Sequence, residues 1–125
     1  MLSLTSLVHP AAAAEPAIFP DIQRILDAGL IRVAIRAKDA APMIMTNADG
    51  LLDGAPNPDL ARDLAKKLGV AAEFVRTAET YDGVVELVAR KQADIAVSYL
   101  SGGMQRARYV FFSRPYIQQS GYFFL

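Results

Sequence analysis

Three short apolar segments alternate with two amphipathic segments along this chain, and that order restricts the folds it can adopt. Leu30–Arg36 alternates apolar and polar side chains as a strand does, and residues 72–75 and 95–97 form two further apolar strands. Between them, residues 57–68 and 80–90 carry apolar side chains at helical spacing. Strands separated by helices of this length pair in parallel through right-handed crossovers. We therefore predict an α/β fold with a mainly parallel sheet flanked by helices.

Residues that are favoured at the ends of helices predict where each helix begins and stops. A first helix, Pro20–Ala28, should stop at Gly29, and the second should stop at Gly69, because glycine accepts the left-handed conformation that ends a helix. Asn57 is predicted to cap the second helix, with Pro58 in its first position. The buried stripe predicted for that helix consists of Leu60, Ala61, Leu64, Ala65 and Leu68.

Further extended segments are predicted on either side of these elements. Met43–Met45 and Leu51–Leu52 flank a turn at Asn47–Gly50, which indicates a small hairpin with glycine where a positive φ is needed. Tyr109–Phe112 and Gly121–Leu125 are predicted to be later strands.

The composition restricts the classes of partner. The 125 residues predict one domain, in which thirteen basic and thirteen acidic residues cancel in net charge. Because no basic cluster occurs, the sequence offers no electrostatic surface for a nucleic acid. There is no cysteine, which excludes disulfides and thiolate metal sites, and the single histidine, His9, lies in the leader. No metal site and no cofactor are predicted. No apolar run is long enough to predict a membrane-spanning helix.

The first sixteen residues differ in character from the rest. Ala11–Pro16 has the small residues of a signal-peptide cleavage site, but the first basic residue is Arg24, so the charged start of a signal is missing. Residues 1–16 are therefore interpreted as a signal-peptide remnant or a disordered leader, and residues 17–125 as the folded part. Export of this kind indicates a periplasmic location.

Three predicted loops should meet at one edge of the sheet. Residues 37–42, 77–81 and 98–103 each follow a strand. The carboxyl ends of parallel strands share an edge, and ligands of such sheets sit beyond it. The convergence of the loops therefore predicts a small-molecule cleft.

The third loop contains an arginine and a serine with the chemistry of an anion site. A short helix is predicted after its small residues, with Arg106 one turn inside. The guanidinium of Arg106 can hold a carboxylate by two parallel hydrogen bonds, the Ser101 hydroxyl can donate another, and N–H groups at the helix start would point at the ligand. The alternatives are that Arg106 pairs with a neighbouring acid and that Ser101 only caps the helix.

Three more residues are candidates for the wall of the cleft. Tyr81 is predicted to face the ammonium group or the side chain of a ligand, with anchoring of its own helix as the alternative. Tyr99 and Met43 are predicted lining residues.

Two aspartates near the predicted loops are interpreted differently. Asp39 is predicted to meet a ligand ammonium group, with pairing to Arg36 or Lys38 as the alternative. Asp94 precedes a buried strand and is predicted to be structural.

Several segments, taken in order, resemble the family 3 extracellular solute-binding proteins of polar-amino-acid ABC transporters. The strand Gly29–Ala34, the helix Asp59–Val70 and the stretch Asp94–Arg106 followed by Ser113–Tyr116 carry the resemblance, which covers residues 22–125. It implies a type II periplasmic-binding-protein-like lobe. It also implies that this is the first of two lobes, truncated where the hinge to the second would begin.

The resemblance implies a binding function without catalysis. The expected role is to bind an amino acid or a similar small carboxylate in the periplasm for the permease of an ABC importer, without a cofactor. Two relatives of the same fold supply alternatives, a periplasmic cyclohexadienyl dehydratase and an accessory binding protein of a quinoprotein dehydrogenase. A further alternative is a truncated remnant that self-associates through its apolar end, Tyr122–Leu125.

Overall fold

The computed structural model describes residues 16–117 and has the predicted α/β architecture. Its helices and strands are, in chain order, α1 (Pro20–Ala28), β1 (Leu30–Ala34), α2 (Pro56–Leu68), β2 (Ala71–Val75), α3 (Tyr81–Ala89), β3 (Ile95–Ala96) and α4 (Met104–Ala107). The strands form one parallel sheet in the order β2-β1-β3. Between residues 16 and 117 no helix has both the length and the apolar character to cross a bilayer. The predicted leader and the strand predicted at Gly121–Leu125 lie outside the described residues.

The central strand β1 contributes to a core on each face of the sheet, since successive side chains of a strand point in opposite directions. The core under α1 and α2 consists of Ile25, Ile31, Val33, Ala61, Ala65 and Val97. The core under α3 consists of Ala34, Val84, Leu87 and Ala93. Helices therefore cover both faces of the sheet, which leaves its edges for a binding site.

Two helices end at the glycines that the sequence predicts, and a threonine caps the start of a third. Gly29 ends α1 with φ of 65°, and Gly69 ends α2 with φ of 74°. The Thr80 hydroxyl accepts a hydrogen bond from the Gly83 N–H at 3.0 Å and so caps α3. This cap positions Tyr81 at the first residue of α3, on the edge that carries the candidate site.

The start of α2 differs from the prediction. The helix begins at Pro56, after Ala55, so the prediction that Asn57 is the cap and Pro58 the first residue is wrong. Asn57 lies in the first turn and is completely buried. Proline tolerates the first helical position because that N–H has no intrahelical partner, and Pro56 satisfies this preference as well as Pro58 does.

The buried face of α2 also differs from the prediction. Leu60 and Leu64 are exposed, whereas Ala61 and Ala65 are buried against the sheet and Leu68 packs at the edge of that core. The leucines and the alanines form adjacent stripes with the same four-residue spacing. The helix packs through its small side chains, and the leucines therefore lie on its flank.

The predicted hairpin is confirmed, and one predicted strand is wrong. Antiparallel bridges join Ala40 to Ile44 and Thr46 to Leu52, with Gly50 at φ of 77° in the turn. By contrast, residues 109–112 form no strand. Among residues 16–117 no strand lies beside them to supply a ladder, and their aromatic side chains are exposed.

Candidate functional site

The three loops that were predicted to meet lie side by side at the carboxyl edge of the sheet. The Ala37 N–H donates to the Ala78 carbonyl at 2.8 Å, which joins the loops after β1 and β2. The Arg36 N–H donates to the hydroxyl of buried Ser98 at 2.9 Å, which joins the loops after β1 and β3. These hydrogen bonds, both donated by backbone N–H groups, hold the three loops together as a preformed surface.

A cleft of about 340 Å³ opens between these loops. It is called the rim cleft below and is lined by Ala40, Ala41, Pro42, Met43, Tyr81, Tyr99 and Ile117. Three of the predicted ligand-binding residues, Met43, Tyr81 and Tyr99, are therefore brought together. All of the described lining residues are aliphatic, aromatic or thioether side chains, so the wall is largely apolar.

Tyr116 connects one wall of the rim cleft to α2. Tyr99 has φ of 57°, which is uncommon for a residue with a side chain, and its N–H donates to the Tyr116 hydroxyl at 3.1 Å. That hydroxyl donates to the Asn57 side-chain carbonyl at 3.2 Å. Burial raises the pKa of Tyr116, which keeps its hydroxyl protonated and able to donate. In residues 16–117 the buried Asn57 Nδ2 and Tyr99 Oη have no hydrogen-bond partner.

Arg106 is held beside the rim cleft by three hydrogen bonds. Its Nη1 donates to the Ser101 carbonyl at 2.9 Å and to the Ser101 hydroxyl at 3.2 Å. Its Nε donates to Asp82 Oδ1 at 2.9 Å. Asp82 follows Tyr81, and Ser101 is two residues beyond Tyr99, so this group adjoins the cleft without forming part of its lining.

The structure thus places Arg106 next to Ser101. It also pairs Arg106 with a neighbouring acid, Asp82, which was the alternative interpretation. The Asp82 side chain is 83% exposed and the Arg106 side chain 21% exposed. The predicted contribution of the helix start is small, because α4 is a single turn and aligns few peptide dipoles. Any anion held here would depend mainly on the two side chains.

Asp39 is engaged by residues other than the predicted ones. Its Oδ2 accepts from the Thr46 hydroxyl at 2.7 Å and from the Thr46 N–H at 2.9 Å, and its Oδ1 pairs with Arg76 at 3.2 Å. These hydrogen bonds, first those from Thr46 and then that from Arg76, hold the pKa of Asp39 below its usual value. Pairing with Arg36 or Lys38 was the predicted alternative, and it is wrong. The reason is that Arg76 reaches this loop from the end of β2.

Arg36 instead covers a face of Tyr81. The centre of its guanidinium lies 4.8 Å from the ring centroid, and its Nε donates to the Glu79 carbonyl at 2.9 Å. Tyr81 therefore already makes a cation–π contact, with a side chain of the protein. The aromatic residue was predicted from the sequence, but its internal cation was not.

A family profile described as bacterial extracellular solute-binding proteins, family 3, matches residues 31–125. Among curated proteins, the chain is similar to a cyclohexadienyl dehydratase from Pseudomonas aeruginosa. The two are 31% identical over 116 residues, which is 93% of this chain and 42% of the relative. The chain therefore spans about two fifths of the length of that relative.

Two solved structures resemble the fold. One is an ancestral cationic amino acid solute-binding protein, AncCDT-1, with 33% identity and a TM-score of 0.69, covering 77% of this chain and 40% of that one. The other is the arginine-bound form of domain 1 from TmArgBP, with 27% identity and a TM-score of 0.67. It covers 74% of this chain and 71% of that domain. The second match indicates that the described fold corresponds to a first lobe.

Proposed function

The chain belongs to the bacterial extracellular solute-binding proteins of family 3, and we propose that it binds a small carboxylate, in particular an amino acid, at the carboxyl edge of its sheet. The observation that carries the proposal is the guanidinium of Arg106, fixed by Ser101 next to the rim cleft. In this proposal the chain acts by binding and not by catalysis. Its residues 17–125 are the first lobe of the binding unit.

Arg106 has room in its hydrogen bonding for a ligand. Its Nη1 is used by Ser101 and its Nε by Asp82, while among the described residues Nη2 makes no hydrogen bond. A ligand carboxylate can accept from Nη2 and, by displacing the exposed carboxylate of Asp82, can accept from Nε as well. An exposed ion pair contributes only about 0–1 kcal/mol, so this exchange is energetically easy.

The rest of the ligand would lie in the rim cleft. Met43, Tyr81 and Tyr99 supply apolar contacts there. Ser101 supplies a hydroxyl next to the guanidinium. Asp39 is assigned a structural role in this proposal, because both of its oxygens are already bonded. Asp39 is therefore not proposed as the partner of a ligand ammonium group.

Such a site should bind weakly in this chain. Charge-assisted hydrogen bonds contribute about 1.5–3 kcal/mol each, and this site offers few of them. Association costs about 4 kcal/mol or more, so millimolar affinity, about −4 kcal/mol, is expected. A relative's first domain has been solved in an arginine-bound form, which supports ligand binding by one lobe.

Delivery to an ABC importer in the periplasm is the physiological role that we propose. It is supported by the family, whose members are described as extracellular solute-binding proteins. The predicted signal-peptide remnant is consistent with export but lies outside the described residues. In this role the partner is the transporter permease, which would accept the loaded binding protein.

A dehydratase is the second candidate, because the similarity to a cyclohexadienyl dehydratase extends over 93% of the chain. Dehydration requires an acid–base group beside the ligand. The two carboxylates next to the rim cleft, those of Asp39 and Asp82, are bonded to Arg76 and Arg106, which favours the binding function. Appearance of the ultraviolet absorbance of an aromatic product, when the chain is incubated with cyclohexadienyl carboxylates, would instead favour the enzyme.

Calorimetric titration with amino acids and organic acids tests the proposed site. Arg106→Ala should weaken carboxylate binding by about tenfold or more, since one charge-assisted hydrogen bond is worth at least about 1.5 kcal/mol. Arg108→Ala is the matched control, because Arg108 is exposed and lies two residues further along. Equal affinities for the two variants would show that Arg106 does not hold the ligand.

A further inference from the structure

The rim cleft has a chemical character that bears on the identity of its ligand. Its described lining contains no ionisable carboxylate, amine or guanidinium; Tyr81 and Tyr99 supply its only hydroxyl groups. Its volume of about 340 Å³ lies at the lower end of the range for small-molecule sites. A side chain of amino-acid size that enters it would exchange water for apolar contact.

The two carboxylates closest to the rim cleft in sequence are both occupied. Asp39 precedes the lining residue Ala40 and accepts hydrogen bonds from Thr46 and Arg76. Asp82 follows Tyr81 and pairs with Arg106, the group proposed to hold the ligand carboxylate. A ligand cation would therefore have to compete with Arg76 for Asp39. Asp82 is 83% exposed, so water screens its charge even after a ligand carboxylate displaces it from Arg106.

Arg36 brings a positive charge next to Tyr81 of the rim cleft, and among residues 16–117 it forms no salt bridge. Arg36 lies over one face of the ring of Tyr81 at 4.8 Å, so the protein itself already supplies a cation to this aromatic ring. Arg76 is anchored in the same loop through the carbonyls of Arg36 and Ala37, at 3.1 and 2.9 Å. A cationic side chain in the rim cleft would meet like charge in a partly desolvated site.

From these observations we infer that the rim cleft selects amino acids with an uncharged apolar or aromatic side chain and discriminates against cationic ones. The inference rests on the proposed function, because it assumes that the ligand carboxylate binds Arg106. It gives this chain a preference different from the arginine that occupies domain 1 of TmArgBP.

The test is a titration of the 125-residue chain with four amino acids, followed by NMR chemical shifts or calorimetry. L-phenylalanine and L-leucine should bind about tenfold more tightly than L-arginine and L-lysine, a difference of about 1.4 kcal/mol. Equal or tighter binding of the cationic pair would overturn the inference and leave the proposed function in place. If the chain binds none of the four amino acids and no simple carboxylate, both the inference and the proposed function are overturned.

A carboxylate placed on the wall should change the preference. Met43→Glu introduces a negative charge into the lining and should shift the ratio of the two affinities by about tenfold toward L-lysine and L-arginine. Met43→Gln is the neutral control of the same length, and it should change all affinities in the same direction and keep the ratio. Ala41→Glu, at an exposed lining position, repeats the test in case Met43→Glu does not fold. A ratio that is the same in the Glu and Gln variants would contradict the inference.

Discussion

Two arginine–aspartate pairs, one next to the amino end of β3 and one at the carboxyl edge of the sheet, are built in different ways. Asp94 is 6% exposed, accepts the Arg32 N–H at 2.8 Å, pairs with the Arg32 guanidinium at 3.1 Å, and has Arg24 at 3.8 Å. Asp82 is 83% exposed and pairs with Arg106 through one contact of 2.9 Å. The first aspartate is bonded to backbone as well as side chain, whereas the second is bonded to a side chain alone.

The first pair therefore stabilises the fold, whereas the second pair is one that the proposed ligand could replace. Loss of one partner from a buried pair costs about 3–5 kcal/mol, because a charge is left without compensation. An exposed pair contributes about 0–1 kcal/mol, and water or another anion can replace it. Asp94 therefore joins β3 to β1, whereas Asp82 would give way to the proposed ligand carboxylate at Arg106.

The largest expected effect is on stability, at the buried pair. Asp94→Ala should lower the free energy of unfolding by about 2–3 kcal/mol, since it removes the hydrogen bonds that the Arg32 N–H and guanidinium donate to a buried carboxylate. Urea unfolding followed by circular dichroism measures the change. Asp82→Ala is the matched control and should cost less than about 1 kcal/mol. Similar losses in the two variants would remove the distinction between the pairs.

Tyr116 tests whether hydrogen bonds fix the carboxyl edge, since the residue is 46% exposed but its hydroxyl bonds to buried Asn57. Tyr116→Phe leaves the Asn57 side-chain carbonyl and the Tyr99 N–H without their partner and should cost about 1–2 kcal/mol in unfolding free energy. Tyr109→Phe, at an exposed tyrosine, should change it by less than about 0.5 kcal/mol. Equal unfolding midpoints for the two variants would mean that the Tyr116 hydroxyl adds nothing to the edge.

Acid should remove the contribution of Asp94 to stability, at a pH lower than that at which ordinary carboxylates are protonated. Burial by itself would raise the pKa of Asp94, but hydrogen bonds from the side chain and backbone of Arg32 outweigh it and the pKa lies below its usual value. The stabilisation is therefore complete above the unfolded pKa of about 3.9 and is lost as the pH falls through the folded pKa. Unfolding free energies measured from pH 6 to pH 2 should fall less steeply in Asp94→Asn than in the unmodified chain. Parallel curves would show that Asp94 does not contribute to acid unfolding.

Local signals in the sequence predicted most of the fold. Gly29 and Gly69 act within their own helix ends, so their roles are visible from neighbouring residues. The burial of Ala61 rather than Leu60 could not be predicted in this way, because both belong to stripes of the same period and only the approach of α2 to the sheet distinguishes them. The same holds for residues 109–112, whose strand prediction depended on a neighbour that the described chain does not supply.

The candidate site was predicted in its residue types but not in its pairing. Spacing placed Ser101 and Arg106 together because they are five residues apart. The acid that pairs with Arg106 is 24 residues away in sequence, and the arginine that pairs with Asp39 is 37 residues away. No local pattern identifies such partners, because they are set by the order in which parallel strands bring their loops to one edge.

The smallest expected effect is on ligand affinity, at the exposed pair. Asp82→Asn should strengthen carboxylate binding by about threefold, because the ligand no longer displaces a competing carboxylate worth less than about 1 kcal/mol. Calorimetric titration with L-phenylalanine measures the gain, and the gain should vanish when Arg106→Ala is added to the same chain. Weaker binding in Asp82→Asn would have the opposite meaning: the carboxylate would then orient the guanidinium for the ligand. In that case the Asp82–Arg106 pair would be a fixed part of the binding site, as the Asp94–Arg32 pair is a fixed part of the fold.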